Sequence, residues 1–159
     1  MNLKEFLQEK VSQEYWRKSI ERRLNEMKYI LDAWAVLAWL GKEKGYLKVR
    51  GLLDRAKDGE IELGINMINF GEVYYVIGKE MGLRKAESIE EKLRLLPIKI
   101  RAPLEENQVM SAASIKAQYP VSYADAFAAS IAEQEGAMLV TGDDDFKALG
   151  NRIEIFWLK

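Results

Sequence analysis

Five short, largely apolar runs, set apart by segments of helical length, constrain this chain more than any other feature. They are Lys28–Leu31, Ile61–Ile65, Ile98–Ile100, Met138–Thr141 and Ile153–Trp157. Runs of this length and character suit strands buried on both faces. Between them the spacing predicts helices over Ala33–Leu40, Val49–Lys57, Asn69–Met81, Arg84–Leu95, Leu104–Gln118 and from Ser122 to Glu135. Gly41, Asp58-Gly59, Gly82, Pro97, Pro120 and Gly136 punctuate them, as expected of residues that end or cannot continue a helix. Strands that alternate with helices form a mostly parallel central sheet with helices on both faces, a three-layer α/β architecture.

Residues 1–26 read differently. They contain no Gly or Pro, and Leu3, Phe6, Leu7, Val11, Tyr15, Ile20 and Leu24 fall mostly three or four apart. That spacing predicts an N-terminal amphipathic helix. The pattern changes abruptly at Met27. Residues 27–159 therefore read as one domain, and 1–26 as a helical extension.

Composition matters most by what it removes. The 159 residues include no Cys and no His. Disulfides, thiolate nucleophiles, Cys/His zinc sites, Ser-His-Asp triads and imidazole acid–base pairs are excluded. Any hydrolytic site must be built from carboxylates, hydroxyls, Lys, Arg and metal ions. No apolar run is long enough to cross a membrane, and the charged N-terminus lacks the apolar core of a secretory signal. A cytoplasmic location is expected.

Four acids stand where an apolar strand ends or a helix begins. They are Asp32, Glu72, Asp125 and Asp143. In open α/β sheets, ligands bind beyond the carboxyl ends of strands. Carboxylates gathered there repel one another unless a cation is present, so the set points to a divalent-metal site and to phosphodiester chemistry. An all-oxygen site suits Mg²⁺ or Mn²⁺, with one or two ions. Each acid also has a plain structural reading. Asp32 could cap the helix after it, Asn69–Glu72 and Ser122–Asp125 match a helix capping pattern, and Asp143 to Asp145 could form a solvated turn. Two positions resist that reading. Asp32 is fixed between two apolar elements, and Asp125 is the only charge between Lys116 and Glu133.

Net charge is −1, which indicates no partner. Segment 73–101 is net basic and segment 102–159 net acidic. Lys79, Arg84 and Lys85 could contact phosphates, and Tyr74, Tyr75 or Tyr123 could stack on bases. An ordinary solvated surface gives the same pattern.

These residues resemble a known family. YILDAWAVLAWL, the Glu in INFGEVYYVIGK, SYADAFAASIAEQEGAMLVTGDDDF and the closing strand look like a PIN-domain ribonuclease, most of all a VapC-type toxin of a toxin–antitoxin pair. The resemblance spans residues 27–159 and implies a PIN-like fold. It makes Asp32, Glu72, Asp125 and Asp143 the catalytic, metal-binding acids, with Asp145 assisting and Thr141 supporting the Asp143 turn. Trp34 stands where the family commonly has a small hydroxyl residue. The implied activity is metal-dependent cleavage of RNA, with a VapB-like antitoxin and a second copy of the chain as partners. Two alternatives stay open: a PIN nuclease of RNA processing or of DNA, and a PIN-fold binding module without chemistry. A phosphoacceptor receiver domain fits less well, because Asp32 has no acidic neighbour. The extension at 1–26 has three readings: a helix packed on the domain or across a dimer, which is favoured, an upstream start, or a joined piece of antitoxin.

Overall fold

Tyr29, Ile30 and Leu31 are all buried, and the strand they form, β1 (Lys28–Leu31), lies at the centre of the sheet. A computed structural model of the protein describes residues 2–25, 27–102 and 105–159, with side chains at all of them except 6, 7 and 21–25. The other strands are β2 (Glu62–Asn66), β3 (Lys99–Arg101), β4 (Met138–Thr141) and β5 (Ile155–Trp157). Their order is β3-β2-β1-β4-β5, and every pairing among the described residues is parallel. The expected α/β class holds, with a sheet that is wholly parallel.

Alternation along β1 divides the core. Tyr29 and Leu31 point into a cluster built with α2 (Ala33–Leu40), α3 (Tyr46–Lys57), α4 (Met67–Met81) and α5 (Leu83–Leu93). Ile30 and Leu139 point the other way, toward α6 (Glu106–Gln118) and α7 (Tyr123–Glu135). A period of two thus places one buried layer on each face of the sheet. A short 3₁₀ helix at Asp144–Leu149 seats Phe146 in the second layer. On that face Gly64 lacks a side chain, and Arg101 lies against it. Arg101 reaches from β3 to Glu62 of β2 and Glu135 of α7, clamping the sheet edge to a helix.

Several boundaries differ from the sequence expectations, each for a local reason. Helix α3 begins at Tyr46, because Gly45, at φ 94°, turns the chain into it. Helix α4 begins at Met67, because Asn66 accepts from the Asn69 N–H and caps it. The pair Asn69 and Glu72 is therefore not the cap of this helix. Helix α5 stops at Leu93, and α6 starts at Glu106, capped reciprocally by Glu105 and Gln108. Leu104, the expected start of α6, lies outside the described residues.

The N-terminal segment is helical over α1 (Leu3–Asn25). Among the described residues it makes no extensive packing contact with any other element. Leu3, Val11, Tyr15, Trp16 and Ile20 are exposed. At about 100° per residue these side chains are distributed around the helix, not along one narrow stripe.

Candidate metal centre

The site is built at the carboxyl end of β1. Leu31 pairs with Ile65 of β2 and Val140 of β4. The next residue on each strand is polar and buried: Asp32, Asn66 and Thr141. This row crosses the sheet where the chain, after building toward β3, returns to the other side of β1. Such reversals of strand order are where open α/β sheets place their ligands.

Asp32 is 1% exposed. Its Oδ1 accepts from the Ala35 N–H at 2.7 Å, which caps α2. Its Oδ2 accepts from the Thr141 hydroxyl. Thr141 Oγ1 in turn accepts from the Asp143 N–H at 2.9 Å. One hydroxyl therefore ties the acid after β1 to the acid after β4. Asp143 Oδ1 accepts from the Asp145 N–H at 2.9 Å and starts the 3₁₀ helix. Asp143, Asp144 and Asp145 do form a turn, but a turn held to Asp32.

Asp125 arrives on the first turn of α7. Ser122 accepts from its N–H at 3.0 Å, and Asp125 Oδ2 accepts from the Ser122 hydroxyl and N–H at 2.6 and 3.2 Å. The expected capping box is present. It occupies Oδ2, while Oδ1 takes no hydrogen bond among the described residues. Capping and a second role are thus compatible on one side chain. Glu72 comes from the second turn of α4, not the first. Buried Asn69 joins the two helices, because its Nδ2 donates to the carbonyl of Ala124 at 3.2 Å.

The acids register one another electrostatically. Burial is the main cause that pushes the Asp32 carboxyl up to about 7, with Asp125 and Asp143 adding repulsion against hydrogen bonds from Thr141 and Ala35. Burial also raises Glu72, as does Asp125, while Asn69 and Tyr75 oppose the shift. Asp125 is raised by burial, by Asp143 and by Asp145, against Ser122. Carboxylates from α4, α7 and two strand ends thus share one field, and no Lys or Arg is among the causes of these three shifts. Such a set is short of a cation.

The centre is open. Among the described residues, no three carboxylates lie close enough to enclose an ion by direct contact.

A PIN domain model matches residues 29–151. The chain belongs to the PIN domain family. The PIN fold is also found in solved structures similar to this one. One is VapBC2 from Rickettsia felis, bound to a DNA fragment from its promoter: TM-score 0.64, 20% identity, covering 84% of this chain and 100% of that one. A second is DNA-bound VapBC from Salmonella typhimurium, with TM-score 0.65, 17% identity and coverage of 84% and 99%. A third is VapBC-1 from nontypeable Haemophilus influenzae, with TM-score 0.62, 18% identity and coverage of 83% and 98%. No curated protein matches the chain.

In this PIN domain Asp125 and Asp143 lie near enough to act on the carboxyls of Asp32 and Glu72, and Thr141 links Asp32 to Asp143. Lys79, Arg84 and Lys85 do not join them. Lys79 is exposed about 10 Å further along α4 than Glu72. Arg84 and Lys85 are exposed at the start of α5. Two cations lie at the acidic turn, neither suggested by the sequence: Lys147 Nζ is 3.0 Å from Asp144 Oδ1, and Lys159 Nζ is 3.8 Å from Asp144 Oδ2. Asn66 escaped notice, and Asn69 and Tyr75 were expected as a cap and a stacking ring, not as the partners of Ala124 and Glu72. Their signal was the row of strand-end residues and the three-residue spacing of Asn69 and Tyr75 about Glu72. A groove of about 660 Å³ runs between α2, α4 and α5, lined by Trp34, Leu37, Val76, Ile77, Met81 and Ile89 among others. Among the described residues no helix is long and apolar enough to cross a membrane.

Proposed function

We propose that the protein is a metal-dependent endoribonuclease of the VapC type, with residues 27–159 as the catalytic unit. The convergence of Asp32, Glu72, Asp125 and Asp143 on the carboxyl edge of the sheet carries this reading. The bound ions, Mg²⁺ or Mn²⁺, would supply Lewis acidity and a water of lowered pKa. Asp32 and Asp143, coupled through Thr141, would hold a cation at the end of the central strand. Asp125 would present Oδ1 to it, and Glu72, raised by its surroundings, would accept a proton or orient a water. Asp145 would assist from the turn. The absence of His leaves these carboxylates as the groups able to move protons.

RNA is favoured as substrate by the resemblance, and Tyr75 and Tyr123, both exposed, are available to stack on unpaired bases. The toxin role is favoured over RNA processing by three structural neighbours that are VapBC structures and by one more described as a toxin–antitoxin complex, from Klebsiella pneumoniae. A VapB-like antitoxin and a second copy of the chain are the proposed partners.

The test is cleavage of a labelled single-stranded RNA by purified protein with Mn²⁺, with EDTA, and with Asp125→Asn. Cleavage with Mn²⁺ is expected, with loss in EDTA and a drop of at least about 100-fold in the variant. Cleavage equal in all three would overturn the assignment. Cleavage of DNA and not RNA would select the alternative nuclease, and Mn²⁺ binding without cleavage of either would select the silent binding module.

A further inference from the structure

We infer that Trp34 is a positioning residue for the Asp143 turn, and that Gly142 is glycine to receive its ring. The inference rests on the metal-centre reading above and concerns what holds that centre in shape.

Trp34 follows Asp32 by two residues, in the first turn of α2. Its six-membered ring fills the space beside Gly142: a Cβ built there would overlap Cη2, Cζ3 and Cε3 of the indole. Gly142 is buried. Its φ is not among the positive ones, so the backbone does not demand glycine at this position. The ring does. Gly142 lies between Thr141, whose hydroxyl joins Asp32 to the Asp143 N–H, and Asp143 itself. The Lys159 ammonium lies 5.5 Å from the centroid of the Trp34 ring and 3.8 Å from Asp144. The indole thus stands between the Gly142 backbone and a cation paired to the same acidic turn.

Two ties therefore run from the start of α2 to the turn after β4. One is the hydrogen-bonded chain Asp32–Thr141–Asp143. The other is packing, Trp34 on Gly142. Because Asp32 and Trp34 share one helical turn, the ring fixes the distance from Asp32 to Asp143 and does not merely fill space.

The experiment is Mn²⁺ affinity, read by electron paramagnetic resonance of free Mn²⁺, beside thermal unfolding for each protein. Gly142→Ala in the native background is expected to weaken binding about 10- to 100-fold, the usual cost of disturbing groups that orient metal ligands. Trp34→Ala should weaken it comparably. Adding Gly142→Ala to Trp34→Ala should cost less than about threefold more, because the clash is gone. Trp34→Phe should keep most of the affinity. If Gly142→Ala leaves Mn²⁺ affinity unchanged, or costs as much without Trp34 as with it, the positioning role is wrong. If the variants unfold at lower temperature but bind Mn²⁺ normally while folded, the contact is structural only and the inference fails. Wild-type protein that binds no Mn²⁺ overturns the metal-centre reading, and the positioning role with it.

Discussion

Asp32 shows how much one residue carries. Both of its oxygens accept hydrogen bonds, it is 1% exposed, and its carboxyl is pushed up to about 7. In the unfolded chain its pKa is near 4. The folded protein without metal therefore binds the proton more tightly than the unfolded one. Below about pH 4 the group is neutral in both states and costs nothing. As pH rises toward 7 the unfolded chain ionises first, and stability falls; above 7 the full penalty of a buried charge facing Asp125 and Asp143 is present. Asp32→Asn should remove that penalty. In metal-free protein at pH 8 it is expected to stabilise by roughly 2–4 kcal/mol, or to raise the melting temperature by about 5–10 °C, with the gain shrinking toward pH 4. Thermal unfolding across that range checks it. Destabilisation at pH 8 would mean that Asp32 is a satisfied structural cap and no more. The special standing of Asp32 and Asp125 was legible in the sequence because each is a lone charge in apolar surroundings. The capping box on Asp125 was legible too, since Ser122 sits three residues before it. Nothing in the sequence told that capping would leave one Asp125 oxygen for other use.

Elements were legible where periodicity and punctuation agreed. Lys28–Leu31, Ala33–Leu40 and Met138–Thr141 have the expected bounds, because Asp32, Gly41 and Gly142 mark them sharply. The start of α4 was not legible. Asn66 and Asn69 have the same side chain and the same spacing to an N–H as other capping pairs, and only their burial shows that Asn66 is the cap and Asn69 the link to α7. Helix α1 is a different case. Its helical conformation follows from sequence, but its partner does not, since Leu3, Val11, Tyr15, Trp16 and Ile20 stay exposed. Among the described residues α1 packs on no other element extensively, and such a helix contributes little to the stability of the domain. Deleting residues 1–26 is therefore expected to leave the melting temperature within about 3 °C, with the transition still cooperative. Unfolding on deletion would show that α1 is part of the core, and a rise in nuclease activity would show that it restrains the site.

At the scale of the molecule, the sheet explains the site. Five strands that all run one way put their carboxyl ends on one edge, and the order β3-β2-β1-β4-β5 makes β1 the central strand, between β2 and β4. Asp32 is thereby placed next to Thr141, although 109 residues separate them. That neighbourhood is a property of topology, and strand order is not written in any local pattern. Parallel class was legible from alternation, since β1, β2 and β3 are each followed by helices long enough to cross back. The position of Lys159 was not, because the end of β5 comes to the acidic turn only once the sheet is assembled.

The central claim is that this edge holds a divalent cation. Titrating Mn²⁺ into the purified protein at pH 7.5, and following the resonance of free Mn²⁺, tests it most directly. The wild-type signal is expected to stay suppressed until one or two equivalents have bound, and Asp32→Asn is expected to bind at least about 10-fold more weakly. A wild-type titration indistinguishable from buffer, or one that Asp32→Asn does not change, would contradict the account.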